Sequence, residues 1–261
     1  MQPIKVISKK RGLITILIIA VTIALSWQFL TSTPSGCYSK IFSVGSSLCH
    51  QIPSHSFIVG NQQFPICARC SGLYLGSLIG LLYAFRSGRK SGIPKKGYLI
   101  MLGFFFVIWG IDGVNSGVSE FLDRPFLYQT TNTTRLLTGY GMGLLMATAL
   151  STLFNMAVWN QKEETPILNK PIQVVLYFLL CGITSLPFFF NNDILFTISA
   201  YFTIATAIII ISLLYSVFWI ILLKKEGQFS TWKDVSLFLI AGFSSALLQI
   251  ILLNTLRNSV L

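Results

Sequence analysis

Four residues in the first third of the chain have the types and the spacing of a metal site. Cys49 and His50 are adjacent, and Cys67 and Cys70 follow as a C-x-x-C pair. Zinc takes thiolate and imidazole ligands in tetrahedral sites, and these residues form a Cys3His set of that kind. We therefore predict a metal site, with zinc as the favoured ion, formed by Cys49, His50, Cys67 and Cys70.

The sequence alone does not decide whether the adjacent residues Cys49 and His50 can both be ligands. Cys49 and His50 rarely point the same way from an extended segment, so one of them alone would bind the metal. His55 or Asp112 would then complete the set. A carboxylate or water ligand would make the site an open one that polarises a substrate.

The same cysteines permit two interpretations without a metal. Cys67 and Cys70 are three residues apart at a predicted helix start, where the helix dipole and free amide groups favour thiolate. A thiol–disulfide oxidoreductase would use this pair, with Cys37 and Cys49 as a second pair. A non-catalytic membrane subunit would use both pairs as structural disulfides. We favour metal binding, because neither alternative needs His50.

Three charged residues are candidates for a reaction near this site. Asp112 lies within a predicted span, where an ionisable side chain is costly enough to indicate function. It would serve as a base or an extra ligand, or form an ion pair with Arg69 or Arg135. The guanidinium groups of Arg69 and Arg135 are suited to binding a lipid phosphate. The alternative is that these side chains only extend to the lipid headgroups at the membrane surface. We predict Asp112, Arg135 and Arg69 as catalytic residues for metal-assisted hydrolysis or transfer on a lipid-linked anionic substrate.

The composition places this chemistry in a membrane. Of 261 residues, 53% are hydrophobic and 10% are charged, and the mean hydropathy is +0.71. These values exclude an ordinary soluble domain and predict an all-α polytopic bundle of transmembrane helices. The net charge of +11 does not indicate nucleic-acid binding, because the basic residues form short clusters between apolar runs.

Seven apolar runs are long enough to cross a bilayer. Their expected limits are 13–30, 67–85, 98–118, 136–159, 172–190, 195–223 and 235–254. The first run has no A-x-A site or lipobox after it, so we predict an uncleaved span rather than a signal peptide. In the loop 32–66, apolar residues at near-helical spacing (Tyr38, Ile41, Phe42 and Leu48) predict a short interfacial helix.

Charge sets the expected orientation. Of the 19 lysines and arginines, five fall outside or at the outer edge, namely Lys40, Arg69, Arg124, Arg135 and Arg257. The other 14 precede the first span or lie in the connections on the opposite side of the membrane, and cytoplasmic segments carry such an excess of basic residues. We therefore expect a cytoplasmic amino terminus, an outer carboxyl terminus, and the Cys/His loop on the outer face of the plasma membrane.

Small residues predict close packing beneath the site. Gly72, Gly76 and Gly80 form a GxxxGxxxG face on the second span, and Gly139 and Gly143 repeat the spacing on the fourth. Such faces let helix backbones approach closely.

Two motifs resemble an uncharacterised family of bacterial and archaeal multi-pass membrane proteins. CHQIPSHSF and CARCSGLYLG match its signature of Cys-His-Gln, Pro and Ser-Phe, followed by C-x-R-C-x-G-x-Y-x-G. Its later pattern, D then R-x-x-T-G-x-x-x-G, falls on Asp112, Arg135, Thr138, Gly139 and Gly143. The resemblance covers residues 49–145 and implies a shared site in a prokaryotic membrane. His55 departs from this resemblance, which implies Arg at that position in many members.

The same resemblance suggests a division of the chain. We expect residues 1–31 to form the cytoplasmic amino terminus and first span, and 32–160 to form the family-like core with the Cys/His loop. Residues 161–261 would hold spans five to seven, as a packing shell or a partner surface.

Overall fold

The chain folds into a bundle of long helices, as its composition predicts. The computed structural model describes residues 4–190 and 192–260, with side chains from residue 12 onward except at 258 and 260. Helices in this part are α1 (Ile4–Ser32), α2 (Cys37–Leu48), α3 (Ala68–Arg86), α4 (Lys96–Phe121), α5 (Asn132–Val158), α6 (Pro171–Ser185), α7 (Asp193–Leu222) and α8 (Trp232–Val260). Seven of them are long and apolar enough to cross a membrane. The predicted all-α bundle of seven spans is confirmed, and α2 is the predicted short helix.

Strands are few and short. β1 (Ile58–Val59) and β2 (Gln62–Gln63) form an antiparallel pair in the loop between α2 and α3. β3 (Lys90–Gly92) and β4 (Glu163–Pro166) form a parallel pair. These pairs tie loops together at opposite ends of the bundle.

The fifth span ends earlier than the sequence predicted. We expected it to reach residue 190, but α6 ends at Ser185 and continues as a single 3-10 turn, Leu186–Phe188. Pro187 explains the difference, because proline has no backbone N–H and cannot donate the next hydrogen bond of the α-helix.

α3 and α5 form the centre of the bundle. Buried residues make up 56% of the apolar window of α3 and 61% of that of α5, against 11% for α4. A Cβ atom at Gly72 would collide with the Leu136 carbonyl, and one at Gly139 would collide with the Arg69 carbonyl. The predicted glycine faces are thus in direct backbone contact, and they fix α3 rigidly beneath its first turn.

Hydrogen bonds between segments define two ends of the bundle. At the cysteine end, which contains residues 37–70, Arg257 Nη1 donates to the Ser46 carbonyl at 2.8 Å. At the basic end, which contains residues 86–96, Arg89 Nη2 donates to the Ser230 carbonyl at 2.7 Å. Asn155 also donates to the Lys90 carbonyl there, at 2.8 Å. Segments predicted on one side of the membrane therefore meet one another.

Candidate metal centre

The structure brings three of the predicted ligands together. The sulfur atoms of Cys49, Cys67 and Cys70 all lie within 4.8 Å of one another. Zinc–sulfur bonds of ~2.3 Å place the sulfurs of a tetrahedral site about 3.8 Å apart, so the observed spacing is close to that of a metal site.

Each sulfur comes from a helix end. Cys49 is the C-cap of α2, with its N–H bonded to the Gly45 carbonyl at 2.9 Å. Cys67 is the N-cap of α3, and Cys70 is the third residue of its first turn. The backbone N–H of Cys67 donates to Cys49 Sγ at 3.1 Å. The end of one helix is thereby joined to the start of the other through a sulfur atom.

Proximity changes the acidity of these thiols. Hydrogen bonds from the Cys49 thiol, and then from Cys70, hold the pKa of Cys67 well below its usual range. The hydrogen bond to Cys67 raises the pKa of Cys49 to about 11. The cluster therefore concentrates negative charge on the N-cap sulfur, where the helix dipole favours it.

Gln51 fixes the loop that carries the sulfurs, a role the sequence interpretation did not assign to it. Its amide group donates to the carbonyls of Phe42 at 2.9 Å and Pro65 at 2.7 Å. Its backbone has φ of +56°, a left-handed conformation uncommon for a non-glycine residue. Pro65 lies two residues before Cys67, so this side chain ties the end of α2 to the approach to α3.

Arg257 of α8 was likewise not predicted to contact the site. Its Nη1 donates to the carbonyls of Ser46 at 2.8 Å and Cys49 at 2.7 Å, and its Nη2 to that of His50 at 3.1 Å. These carbonyls belong to the last turn of α2 and the residues after it, which lack helical partners. The last span therefore caps α2 where Cys49 leaves it.

The two histidines lie beside the cluster rather than within it. Neither His50 nor His55 belongs to the group of close ligand atoms among the described residues. The exposed His50 accepts a hydrogen bond at Nδ1 from the Ile52 N–H, and its ring centre is 5.6 Å from that of His55. Burial, and then Arg135, lower the pKa of His55. A ligand role for His50 stays a prediction.

The remaining cysteines lie away from the cluster. Cys37 is exposed at the start of α2, and Cys181 is buried in α6. Cys37 is the first of the 12 residues of α2, and Cys49 directly follows the last of them. A helix of that length spans ~18 Å, whereas a disulfide needs Cα atoms within about 7 Å. The second redox pair that we considered, Cys37 with Cys49, is therefore incompatible with α2.

Asp112 forms an ion pair with Arg69. Its Oδ2 accepts from Arg69 Nη2 at 2.6 Å and Nε at 2.9 Å, and its Oδ1 accepts from Tyr128 at 2.7 Å. Asp112 is fully buried, while 14% of the Arg69 side chain is exposed. Of the roles that the sequence allowed Asp112, the contacts match the ion pair. Burial, and then the bond to Asp112, raise the pKa of Tyr128 to about 12.

Arg135 is buried without a carboxylate partner. Only 5% of the residue is exposed, and its bonds go to Ser116, Thr130 and Asn132. Among the described residues, no carboxylate oxygen lies within 4.0 Å of its guanidinium. It lines a polar cleft of about 300 Å³ together with residues of three segments, namely Ser54, His55, Ser116, Glu120, Arg124 and Gln129.

Asn115 positions one wall of this cleft and was missed in the sequence. It is fully buried in α4 and bonds to the Leu127 N–H at 2.8 Å and the Tyr128 carbonyl at 2.9 Å. Those bonds hold the loop between α4 and α5 against the bundle. An amide in an apolar span was the available signal, because such a group needs partners there.

Comparison with known proteins identifies a family whose segment covers the clustered cysteines. The sequence profile of a family described as "Predicted membrane protein (DUF2085)" matches residues 49–149. An uncharacterised protein of Methanothermobacter thermautotrophicus is 31% identical over 109 residues, which cover 41% of this chain and 86% of that protein. The chain belongs to the DUF2085 family. The family resemblance drawn from the two motifs is thus confirmed.

A second similar protein comes from another archaeon. An uncharacterised protein of Methanocaldococcus jannaschii is 29% identical over 130 residues, covering 49% of this chain and 72% of that protein. No solved structure matches the chain. The DUF2085 segment contains the three clustered cysteines, Asp112 and Arg135, whereas α6–α8 and Arg257 lie outside it.

Proposed function

We propose that this chain is a membrane metalloprotein with a thiolate centre beside an anion-binding cleft. Cys49, Cys67 and Cys70 would hold zinc, and the fourth position would take His50, water or a substrate oxygen. Arg135 would bind the anionic headgroup of a lipid-linked substrate. The reaction class that fits is metal-assisted hydrolysis or group transfer.

The observation that carries the proposal is the convergence of three sulfurs within 4.8 Å. Two separate contacts, from Gln51 and Arg257, support the segment that delivers Cys49. Such outer contacts are what orient the ligands of metal sites. Without them, the distance of Cys49 from α3 would be held less firmly, by the bond from the Cys67 N–H to Cys49 Sγ.

The anion part of the proposal rests on the unbalanced charge of Arg135. A buried cation costs free energy unless it is paired, and this one has only neutral partners among the described residues. Glu120 and Arg124 line the same cleft, and both are exposed, so water screens their charges. A phosphate or carboxylate in the cleft would neutralise Arg135 through charge-assisted hydrogen bonds.

The chain's own residues divide the work at this site. Arg135 would contact the substrate, while the Asp112–Arg69 pair would act as a positioning element between α3 and α4. The bonds already made by Asp112 to Arg69 and Tyr128 occupy the lone pairs that a general base would use. A bound zinc ion would supply polarisation of a ligand oxygen.

We place the site on the outer face of the plasma membrane. The support is the charge pattern, since 14 of the 19 basic residues lie at the basic end or in the segment preceding the first span. The substrate would then be reached from the outer leaflet.

Metal content is the direct test. We expect protein purified in detergent without chelator to carry about one zinc ion per chain by elemental analysis. The same ion should protect Cys49, Cys67 and Cys70 from alkylation until a chelator removes it. Protein that stays metal-free after titration with zinc would contradict the proposal.

Thiol–disulfide exchange is the second candidate, because the lowered pKa of Cys67 suits an attacking thiolate. It predicts metal-free protein in which a Cys67–Cys70 disulfide forms and is reduced by a mild thiol. Mass spectrometry of alkylated peptides distinguishes this state from three metal-protected thiols.

The cleft predicts stabilisation by inorganic phosphate. We expect phosphate to raise the Tm of the protein in detergent, and Arg135→Gln to weaken phosphate binding about 10- to 100-fold through loss of charge-assisted bonds. Phosphate affinity is obtained from the dependence of Tm on phosphate concentration within each variant. A general loss of stability in one variant therefore does not affect the comparison of affinities. Arg124→Gln, at an exposed position, is the matched control and should change binding little. Equal phosphate dependence in wild type and Arg135→Gln would refute the anion site.

A further inference from the structure

A second cavity lies at the opposite end of the bundle from the metal centre. It has a volume of about 440 Å³ and is enclosed by α3, α5 and α7, with Trp159 and Trp232 at its basic end. Its walls are mostly apolar and consist mainly of leucine, isoleucine, phenylalanine and tryptophan side chains. Ligand sites of this size are typically apolar with a few placed polar groups.

The cavity opens toward the lipid. Leu82, Phe85 and Ile209 line it, and they are 57%, 70% and 47% exposed. They belong to the spans, so the opening faces hydrocarbon rather than water. Its lining extends over two turns of α3 and two of α7, about 10 Å along the membrane normal.

A fixed cation stands where the cavity reaches the membrane boundary. The Arg89 guanidinium carbon lies 4.0 Å from the centre of the Trp159 ring, and its Nη2 donates to the Ser230 carbonyl at 2.7 Å. Among the described residues no carboxylate oxygen lies within 4.0 Å of it. Glu163 lies in the neighbouring strand, and its backbone N–H donates to the Arg89 carbonyl at 3.0 Å.

The surroundings of Arg89 are strongly basic. The short connection from α3 to α4, together with the helix ends on either side of it, carries four further basic residues, namely Arg86, Lys90, Lys95 and Lys96. The facing linker between α5 and α6 adds two glutamates, Glu163 and Glu164, and two lysines, Lys162 and Lys170. Juxtamembrane positive charge of this density attracts anionic lipid, and basic pockets between spans bind its headgroup.

We propose that this cavity binds one acyl chain of an anionic phospholipid, with the lipid phosphate on Arg89. The apolar walls contact the acyl chain, and the indole rings of Trp159 and Trp232 contact the interfacial region of the lipid. The guanidinium of Arg89 favours an anionic headgroup over a neutral one. This orientation follows from the position of Arg89 at the basic end, because the chain then runs parallel to α3 and α7. The site is separate from the metal centre and does not depend on it.

Quenching of tryptophan fluorescence by brominated lipids tests this site. Replacing Trp27, Trp109 and Trp219 by Phe leaves Trp159 and Trp232, which both line the cavity. This variant is reconstituted in phosphatidylcholine vesicles containing increasing fractions of either brominated phosphatidylglycerol or brominated phosphatidylcholine. We expect phosphatidylglycerol to quench with an affinity about fivefold higher, the effect of one arginine near a membrane surface.

Matched variants separate specific binding from ordinary contact with bulk lipid. In the same background, Arg89→Gln should remove most of the fivefold preference, while Arg86→Gln, at an exposed position outside the cavity, should retain it. Ile209→Phe should weaken quenching by both lipids, because it obstructs the opening at an exposed position that tolerates bulk. Equal affinities for both lipids, or a preference that survives Arg89→Gln, would overturn the proposal. Absence of quenching by either lipid would also overturn it and indicate that a partner helix covers the opening.

Discussion

Cys67→Ser is expected to abolish zinc binding while leaving the fold intact. Cys67 is the N-cap of α3, and serine is among the best N-cap residues, so the helix start is preserved or improved. The thiolate, however, is lost from the three-sulfur cluster. Loss of an outer-shell partner costs 10- to 100-fold in metal affinity, so loss of a ligand should cost at least about 100-fold.

The same substitution should remove the stabilisation that zinc provides. A ligand at a thousandfold excess over its Kd stabilises the folded state by about 4 kcal/mol, and this contribution vanishes when the site is lost. Thermal unfolding in detergent with and without zinc measures it. The matched control is Cys37→Ser, because Cys37 is exposed at the far end of α2. We expect this control to bind zinc like wild type, and equal loss in both variants would count against the assigned ligands.

The spans could be predicted from sequence because membrane thickness sets the length of an apolar run. Their ends were less predictable. The last span was expected over 235–254, yet α8 covers Trp232–Val260. Helical hydrogen bonding continues beyond the apolar run, and in α8 the extension carries Arg257 to the carbonyls around Cys49.

The ligand set could be predicted only in part. The spacing of Cys67 and Cys70 at a helix start is a local property, so it was readable in the sequence. Which of Cys49 and His50 turns toward them was not, because contacts remote in sequence decide it. Gln51 bonds to the Pro65 carbonyl, and Arg257 bonds to Cys49 across 208 positions.

The partner of Asp112 was also left open, between Arg69 and Arg135. In the structure the choice depends on one face of α4, which carries Asp112, Asn115 and Ser116. Asp112 meets Arg69, whereas Ser116, one turn closer to the cysteine end, bonds to Arg135 at 2.9 Å. A shift of α4 by one helical turn would decide between pairing with Arg69 and pairing with Arg135. Sequence patterns do not locate a helix with that precision.

Asp112→Ala is expected to destabilise the protein by about 3–5 kcal/mol, the cost of breaking a buried ion pair from one side. The carboxylate is fully buried, and its removal leaves Arg69 with only the Asp112 carbonyl as an acceptor. The Tyr128 hydroxyl also loses its partner, which weakens the attachment of the loop between α4 and α5 that Asn115 still holds. Equilibrium unfolding in detergent measures the change in free energy, and Glu226→Ala, at an exposed position, should stay within about 0.5 kcal/mol.

A double variant shows whether this pair positions the helices or takes part in chemistry. Replacing a buried ion pair by apolar residues of similar volume is often neutral or stabilising, so Arg69→Met with Asp112→Leu should regain most of the lost stability. If the pair only positions α3 against α4, zinc affinity should return together with stability. A stable double variant that still binds zinc but loses turnover of an identified substrate would instead give Asp112 or Arg69 a direct role in the reaction. Measuring both stability and turnover therefore distinguishes a positioning role of Asp112 from a direct role in the reaction.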